Sequence, residues 1–259
     1  MGQEMMMMLF GVLPAFALVG YVCWLDRRQP EPLSWIFRGM GYGVGSVLLA
    51  LLLDGLMASV VPCTAAEGTV SRGLYTAFLQ AAVPEETAKL VMLWLLVKKN
   101  PYFDERMDGI VYAVAVAMGF AACENVGYLF DNVETWQSVA FSRALFSVPA
   151  HFAFAVLMGY YYGLAHFDPE RYGRYRLMVL LSPVVAHGVF DGLLMVSPAL
   201  GEGLAAVVYV VFLYFCIRLH RFCRTRVTAQ LQRDKRDLDA QAFAKALGQF
   251  GHYSKDERA

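Results

Sequence analysis

Seven long apolar stretches constrain the fold of this chain more than any other feature of its sequence. A helix needs about 20 predominantly apolar residues to cross a bilayer core roughly 30 Å thick. Six of the stretches reach that length, and the seventh is shorter but extends into its neighbours. The sequence therefore predicts an all-α fold, a polytopic transmembrane helical bundle of about seven spans. The predicted spans are residues 5–25, 34–60, 74–97, 109–130, 144–166, 177–196 and 204–217.

Composition favours a membrane protein over a soluble one. Hydrophobic residues make up 58% of the 259 residues and charged residues only 17%, against about 25% in an average soluble domain. Residues 5–25 are too long for a signal-peptide core and lack a basic start, so we expect a retained helix. Lys and Arg together number 22, as do Asp and Glu, so the net charge is 0. Without a global positive field, nucleic acid is not an expected partner.

Cations alternate between the loops, and this alternation sets the expected orientation. Lys and Arg mark the cytoplasmic side of a membrane protein. They follow the first, third and fifth spans, whereas the opposite loops carry only Arg72 and Arg143. The pattern predicts an N-terminus outside and a C-terminus in the cytoplasm. The cytoplasmic loop cations are Arg27, Arg28, Lys98, Lys99, Arg106, Arg171, Arg174 and Arg176.

The C-terminal segment differs in character from the spans. From Arg218 onward it carries ten Lys or Arg and five Asp or Glu, a net charge of +5 (ten minus five). Such a segment suits an anionic inner leaflet, and a solvated tail without a role is the alternative. We expect a transmembrane domain over residues 1–222 and a cytoplasmic basic tail over residues 223–259.

The second span is rich in glycine. Gly39, Gly41, Gly43 and Gly45 occupy alternate positions within it. Since the span is apolar and no strand precedes it, a phosphate-binding loop is a poor interpretation. Gly41 and Gly45 have the GxxxG spacing that allows helices to approach closely in membranes, and we expect them to form a packing face.

Ionisable and strongly polar residues occur inside four consecutive spans. A charged side chain near the bilayer centre costs about 2.5 kcal/mol or more. Interhelical hydrogen bonds alone are a weak explanation, because Ser, Thr and Asn would supply them at lower cost. We therefore expect one polar cavity that opens toward the extracytoplasmic side. Its residues are Glu85, Glu86 and Lys89 in the third span, Glu124 and Asn125 in the fourth, His151 in the fifth, and His187 and Asp191 in the sixth.

Spacing within these spans predicts specific pairs. Lys89 follows Glu85 by four residues and Glu86 by three, so either carboxylate can pair with it along one helix face. Asp191 follows His187 by four residues and can fix the imidazole tautomer. Pro84 can break the helix before Glu85 and free carbonyl groups. Glu85 and Glu86 cannot both be ionised at low cost in a low dielectric, so one of them should have a raised pKa. A pKa near neutrality is what a general base requires.

Three functions fit a polar cluster inside a membrane. The first is a peptide hydrolase, and the second is a proton-coupled transporter, because chains of intramembrane Glu, His and Lys also relay protons. Transporters usually contain internal repeats, and no convincing repeat is visible in this sequence. The third is a non-catalytic membrane scaffold.

The ordered set of polar motifs resembles the PrsW family of intramembrane proteases, which is related to the CAAX-protease and bacteriocin-processing superfamily. The resemblance covers roughly residues 75–195. It is carried by Glu85-Glu86-x-x-Lys89, by Phe120-x-x-x-Glu124-Asn125, by His151 with Gly159 eight residues on, and by His187-x-x-x-Asp191.

The resemblance implies an intramembrane endopeptidase in the bacterial cytoplasmic (inner) membrane. Its expected partners are the lipid bilayer and a single-pass membrane protein substrate, such as an anti-sigma factor that is cut near the outer face in a site-1-type cleavage. Glu85 or Glu86 is then the base that activates water, and His151 and His187 bind the oxyanion or protonate the leaving amine. Glu124 and Asn125 position these groups, Lys89 tunes the glutamates, and Asp191 supports His187.

Metal dependence is open at the level of the sequence. The family is classed with metallopeptidases, and a zinc site with an open position could be formed by Glu86, Glu124, His151 and His187. No HExxH pair is present, however. We prefer a glutamate-activated water without a cofactor, with zinc-dependent hydrolysis as the alternative.

Overall fold

The computed structural model describes residues 2–168, 170 and 172–256, and all of its regular secondary structure is helical. Seven long helical stretches run in succession, which confirms the predicted all-α fold. We label them α1 (Gln3–Leu25), α2 (Leu33–Val60), α3 (70–97), α4 (Arg106–Asp131), α5 (Trp136–Phe167), α6 (Tyr172–Val196) and α7 (Glu202–Asp256).

Most of these helices are long and apolar enough to cross a membrane. Within the described residues, six meet both conditions, and they correspond to α1, α2, α4, α5, α6 and α7. The remaining stretch, α3, is continuous but changes geometry along its length, from an α-helix (Val70–Tyr75) to a π-helix (Thr76–Ala82) and back to an α-helix (Val83–Val97). The structure is thus a polytopic helical bundle. The N-out, C-in orientation remains a prediction, and Arg171, one of its cations, lies outside the described residues.

Helix α4 forms the centre of the bundle and is buried along most of its length. Glycines bring its neighbours into backbone contact. A Cβ atom on Gly119 would clash with the backbone of Met40 in α2, and one on Gly159 in α5 would clash with the backbone of Gly109. These contacts hold α2 and α5 closely against α4.

The glycine face of α2 differs from the predicted one. A Cβ atom on Gly43 would clash with the backbone of Val116 and Phe120, and one on Gly39 would lie 2.9 Å from the Ala115 Cβ. Among the described residues, no heavy atom lies within 4 Å of a Cβ on Gly41, and the Gly45 position meets only Met92, at 3.9 Å. The prediction that Gly41 and Gly45 pack was therefore wrong. Gly39 and Gly43 have the same spacing but point toward α4.

Helix α7 continues far beyond the predicted seventh span. It runs for 55 residues and passes residue 222 without a break. Cys223 and Gln230 are buried, and the Asp234 carboxylate accepts hydrogen bonds from the backbone N–H groups of Arg106 (3.2 Å) and Met107 (2.9 Å). A carboxylate at a helix N-terminus is favourable because the N–H groups there have no intrahelical partner. The first part of the basic segment is therefore docked on the start of α4.

Candidate active site

Proline residues and widened helical turns position the polar residues of α3 and α5. In α3, the π-helix Thr76–Ala82 leads directly into Val83-Pro84 and the two glutamates. In α5, the π-helix Arg143–Ser147 leads into Val148-Pro149, two residues before His151. A proline ring removes one N–H group and crowds the preceding turn, and a π-turn accommodates the extra residue, often at functional sites. The predicted break at Pro84 is therefore a change of helical geometry within a continuous helix.

Lys89 is the centre of the cluster. Its Nζ donates to Glu85 Oε2 at 3.1 Å and to Glu86 Oε1 at 2.9 Å, and it lies 3.3 Å from His151 Nδ1. The ammonium group also lies 4.0 Å from the ring centroid of Phe120. Lys89 is buried, so its charge acts on both glutamates without screening by water. One lysine therefore joins the two motif carboxylates to the histidine of a different helix.

His187 is held between two carboxylates. Its Nδ1 lies 2.9 Å from Glu86 Oε1, and its Nε2 lies 3.2 Å from Asp191 Oδ2. The imidazole stacks on Phe154 with ring centroids 4.8 Å apart and an interplanar angle of 15°. The same Nε2 is 4.0 Å from Glu85 Oε2. Two hydrogen-bond acceptors and a stacked ring fix the orientation of His187, as the His187–Asp191 spacing predicts.

His151 connects the glutamates of α3 to the polar pair of α4. Its Nε2 lies 3.1 Å from Glu124 Oε2. Glu124 also accepts a hydrogen bond from Arg143, whose Nε donates to Asn125 Oδ1 at 2.6 Å. Asn125 in turn donates to the backbone carbonyl of Gly11 at 3.1 Å, which ties the network to α1. All eight residues that the sequence singles out are thus joined in one network across four helices.

Burial divides the network into a closed side and an open side. Glu86, Lys89, His151 and His187 are buried. Glu85, Glu124 and Asp191 keep side-chain exposures of 15%, 20% and 18%. The open side is nearer to the predicted extracytoplasmic loops, since Glu124 precedes the end of α4 by seven residues, roughly 10 Å of helix. Glu85 and Glu124 therefore reach the surface of the bundle, whereas Glu86 does not.

Sequence reasoning missed Arg143 and Phe154. Arg143 was assigned to an outer loop, but it begins the π-helix of α5 and contacts Glu124, Asn125 and the ring of Tyr128. A lone cation beside a span, facing a predicted loop with few other cations, is the signal that could have identified it. Phe154 lies three residues after His151 and supplies the surface on which His187 stacks. Nothing in an apolar span distinguishes such a phenylalanine from its neighbours.

Comparison with known proteins assigns the family. The family model described as "PrsW family intramembrane metalloprotease" matches residues 31–217. The chain belongs to this family. Curated relatives named Protease PrsW include one from Geobacillus kaustophilus, 38% identical over 74% of this chain and 80% of the relative, and one from Clostridioides difficile, 32% identical over 80% and 86%. A third, from Bacillus subtilis, is 31% identical over 71% of this chain and 80% of the relative. No solved structure matches the chain.

Membership of the PrsW family confirms the predicted resemblance and makes the chain a multi-pass membrane protease. The polar network lies within the matched region, because Glu85 and Asp191 both fall inside residues 31–217.

The family description includes a metal, and the residues of the site fit one in donor type. Carboxylate oxygens of Glu85 and Glu86 and a ring nitrogen of His151 lie within 4.8 Å of one another. Three such ligands with an open position are typical of catalytic zinc. The set overlaps the predicted ligands in Glu86 and His151. Glu124 and His187 instead contact members of the set as hydrogen-bond partners. Lys89 also competes for this space, because its ammonium contacts both glutamates.

Proposed function

We propose that this PrsW family protein hydrolyses a peptide bond of a membrane-anchored protein, with Glu85 as the base that activates water. One observation carries the proposal. Glu85 is the partly exposed carboxylate of a buried Glu–Glu–Lys–His cluster. In the proposed mechanism water approaches Glu85 from the exposed side while its charge partner, Lys89, stays in place. A general base needs contact with the water that it deprotonates.

Glu86 is less suited to that role. Its side chain is only 1% exposed, and its Oε1 already contacts both Lys89 and His187. A carboxylate whose acceptor oxygen is shared by two donors is engaged in positioning them. Glu86 therefore acts as the anchor of the cluster, and Glu85 acts as its reactive carboxylate.

The hydrolytic step follows from this arrangement. Glu85 takes a proton from water, and the water oxygen forms a bond to the scissile carbonyl carbon. His151 and His187 stabilise the oxyanion that develops on the carbonyl oxygen, for which the Nε2 groups exchange their contacts with Glu124 and Asp191. The C–N bond then breaks, and the proton passes to the leaving amine from Glu85, whose Oε2 lies 4.0 Å from His187 Nε2. Lys89 Nζ, at 3.1 Å from the same oxygen, is the donor nearest to that proton path.

The remaining polar residues position these groups. Asp191 and Glu86 hold the two nitrogens of His187. Glu124 contacts the Nε2 of His151, which points away from Lys89, and Arg143 joins Glu124 to Asn125. Glu86 of α3 contacts His187 of α6, and Glu124 of α4 contacts His151 of α5, so the packing of the bundle sets these distances.

A metal-dependent mechanism is the second candidate, favoured by the proximity of Glu85, Glu86 and His151. A divalent metal held by these residues would supply Lewis-acid chemistry at the scissile carbonyl. Lys89 would then have to move away from the two carboxylates. Zinc content separates the candidates. Stoichiometric zinc in the parent that is lost in His151→Ala supports the metal, whereas full cleavage by zinc-free protein supports Glu85 acting alone.

The proposed substrate is a single-pass membrane protein that is cut near the outer face, with an anti-sigma factor as the expected class. The family resemblance suggests this substrate. The network supports it because its open side is nearer to the loops that the charge pattern predicts to be outside. The proposed location is the bacterial cytoplasmic membrane.

Cleavage in proteoliposomes tests this function. The purified protein would be incorporated with a panel of single-pass proteins, and mass spectrometry would identify each new terminus. The proposal expects cleavage within or beside the outer half of the substrate span, and none with the Glu85→Gln/Glu86→Gln double variant. Cleavage confined to the cytoplasmic half, or undiminished in the double variant, would contradict it.

A further inference from the structure

A second group of carboxylates lies at the opposite end of α4 from the active site. Asp26 follows the end of α1, Glu31 precedes the start of α2, and Asp108 lies in the first turn of α4. One oxygen from each residue lies within 4.8 Å of the other two. Asp108 and Glu124 are 16 residues apart on α4, roughly 24 Å of helix. This acidic triad is therefore separate from the catalytic network.

The Asp108 side chain has an unused oxygen inside the protein. Asp108 is fully buried, and its Oδ2 accepts hydrogen bonds from the backbone N–H groups of Asp104 and Glu105, both at 2.8 Å. The bond from Glu105 forms part of the capping box at the start of α4. The other oxygen, Oδ1, is buried and has no hydrogen-bond partner among the described residues. Capping thus accounts for only half of this carboxylate, and a buried unpaired carboxylate oxygen is costly.

The acidic triad also lacks a protein cation. Within the described part of the chain, no Lys, Arg or His nitrogen lies within 4.0 Å of an oxygen of Asp26, Glu31 or Asp108. Its hydrogen-bond donors are neutral, including the Tyr112 hydroxyl, which donates to Glu31. The catalytic glutamates are different, because Lys89 lies between them. A cluster of negative groups this close requires positive charge or protons.

We propose that Asp26, Glu31 and Asp108 bind a hard divalent cation, Ca²⁺ or Mg²⁺. Carboxylate oxygens are the ligands that these ions prefer, and an all-oxygen site without His or Cys does not favour zinc. The cation fastens the end of α1 and the start of α2 to the first turn of the central helix. A cleft of about 370 Å³ is lined by Gln29, Asp104, Glu105 and Arg106, which are close to the triad residues in the sequence.

Protons are the competing way to neutralise the triad. Burial, together with the charges of Glu105 and Glu31, raises the pKa of Asp26 to about 8. Burial and the charge of Asp234 raise the pKa of Glu105, which lines the cleft, to about 7. A cation must displace such protons, so its binding is best measured at mildly alkaline pH.

Direct binding to the full-length protein tests the cation site. Protein purified in detergent would be stripped with EDTA, freed of chelator and titrated calorimetrically with Ca²⁺ or with Mg²⁺ at constant ionic strength. The proposal expects one saturable site for at least one of the two ions. It also expects Asp26→Asn and Glu31→Gln each to weaken binding at least about tenfold, because each removes a charged ligand.

Two control variants separate the triad from other acidic groups. Asp104→Asn removes an exposed charge from the loop that precedes α4. Glu86→Gln removes a charge from the active site. Both should bind the ion within about twofold of the parent. Absence of saturable binding by both ions would leave the triad neutralised by protons only and overturn the proposal. Binding that survives in Asp26→Asn, or disappears in Glu86→Gln, would overturn it as well.

Thermal melting distinguishes the loss of a metal ligand from a general loss of stability. In EDTA, Asp26→Asn and Glu31→Gln should melt at or above the temperature of the parent, because each relieves repulsion between like charges. With the bound ion, the parent should melt higher than in EDTA, and the two variants should not. Some variants could melt below the parent in EDTA and still show the same rise in melting temperature as the parent when the ion is added. That result would contradict a role of these residues as ligands.

Discussion

Glu86 and His187 are separated by 101 positions in the sequence, yet Glu86 Oε1 lies 2.9 Å from His187 Nδ1. This contact joins α3 to α6, and Lys89 occupies a second position on the same oxygen. Glu86 therefore has a structural role that its neighbour Glu85 lacks, although the two are adjacent and chemically identical. The contrast between them makes the account of the site testable.

Replacement of Glu86 should reduce stability as well as activity. Glu86→Gln removes the charge shared by Lys89 and His187, and we expect a loss of about 1–3 kcal/mol in the free energy of unfolding, the usual cost of disrupting a buried charged hydrogen bond. Glu85→Gln, at the partly exposed position and with Lys89 as its one close partner, should cost less than Glu86→Gln. Thermal melting of the two variants in the same detergent compares them directly. Equal destabilisation would contradict the division of roles.

Asp191 should affect turnover more than substrate binding. Asp191→Asn can donate to His187 Nε2 instead of accepting from it, so the ring would adopt the wrong tautomer or orientation. We expect kcat to fall at least about tenfold with a nearly unchanged KM. Steady-state kinetics on a reconstituted substrate would measure both constants. A rise in KM alone would indicate a substrate-binding role instead.

Arg143 should act as a positioning residue for Glu124 and Asn125. Arg143→Gln removes the charge and the forked geometry, whereas Arg143→Lys keeps the charge alone. We expect kcat to fall about tenfold or more in Arg143→Gln, with partial recovery in Arg143→Lys. The melting temperature of each variant is the control. An Arg143→Gln enzyme that retains the parental kcat would exclude Arg143 from the support of the site.

The glycine face of α2 provides a matched pair. Gly43→Ala places a methyl group against the backbone of α4, whereas Gly41→Ala places one where no described heavy atom lies within 4 Å. Overpacking of this kind costs about 1–3 kcal/mol or more, so Gly43→Ala should melt several degrees lower than the parent. Gly41→Ala should match the parent or exceed it, because alanine is the better helix former. A reversed order would contradict the packing of α2 on α4.

Cysteine labelling tests the orientation. Positions near Pro30, Tyr102 and Lys235 should react only with reagents that reach the cytoplasm, and positions near Ala65, Thr135 and Glu202 only with external reagents. Labelling of Lys235 from outside would contradict both the orientation and the proposed cleavage near the outer face.

The sequence predicts the spans and the polar residues of the site because both depend on local chemistry. Apolar stretches mark helices, and a charge such as Glu85 or Lys89 in such a stretch is costly enough to demand a partner. Regular i, i+4 spacing also predicts the His187–Asp191 and Glu85–Lys89 pairs, both of which the structure contains.

Features that depend on helix rotation and tertiary packing cannot be predicted from local sequence in this way. Gly41 and Gly43 are equivalent in composition, and only the rotation of α2 against α4 decides which one packs. The π-helices before Pro84 and Pro149 leave no signature in hydropathy. Asp26 and Asp108 look like ordinary loop and helix-cap acids, because their burial arises from segments that are distant in the sequence.

The rate of cleavage by Glu85→Gln tests whether Glu85 is the base that activates water. The variant keeps the size and hydrogen-bonding capacity of the side chain but cannot accept a proton from water. We expect single-turnover cleavage of a reconstituted substrate to slow about a hundredfold or more, with an unchanged melting temperature. A Glu85→Gln protein that cleaves at the parental rate would contradict the assignment of Glu85 as the base.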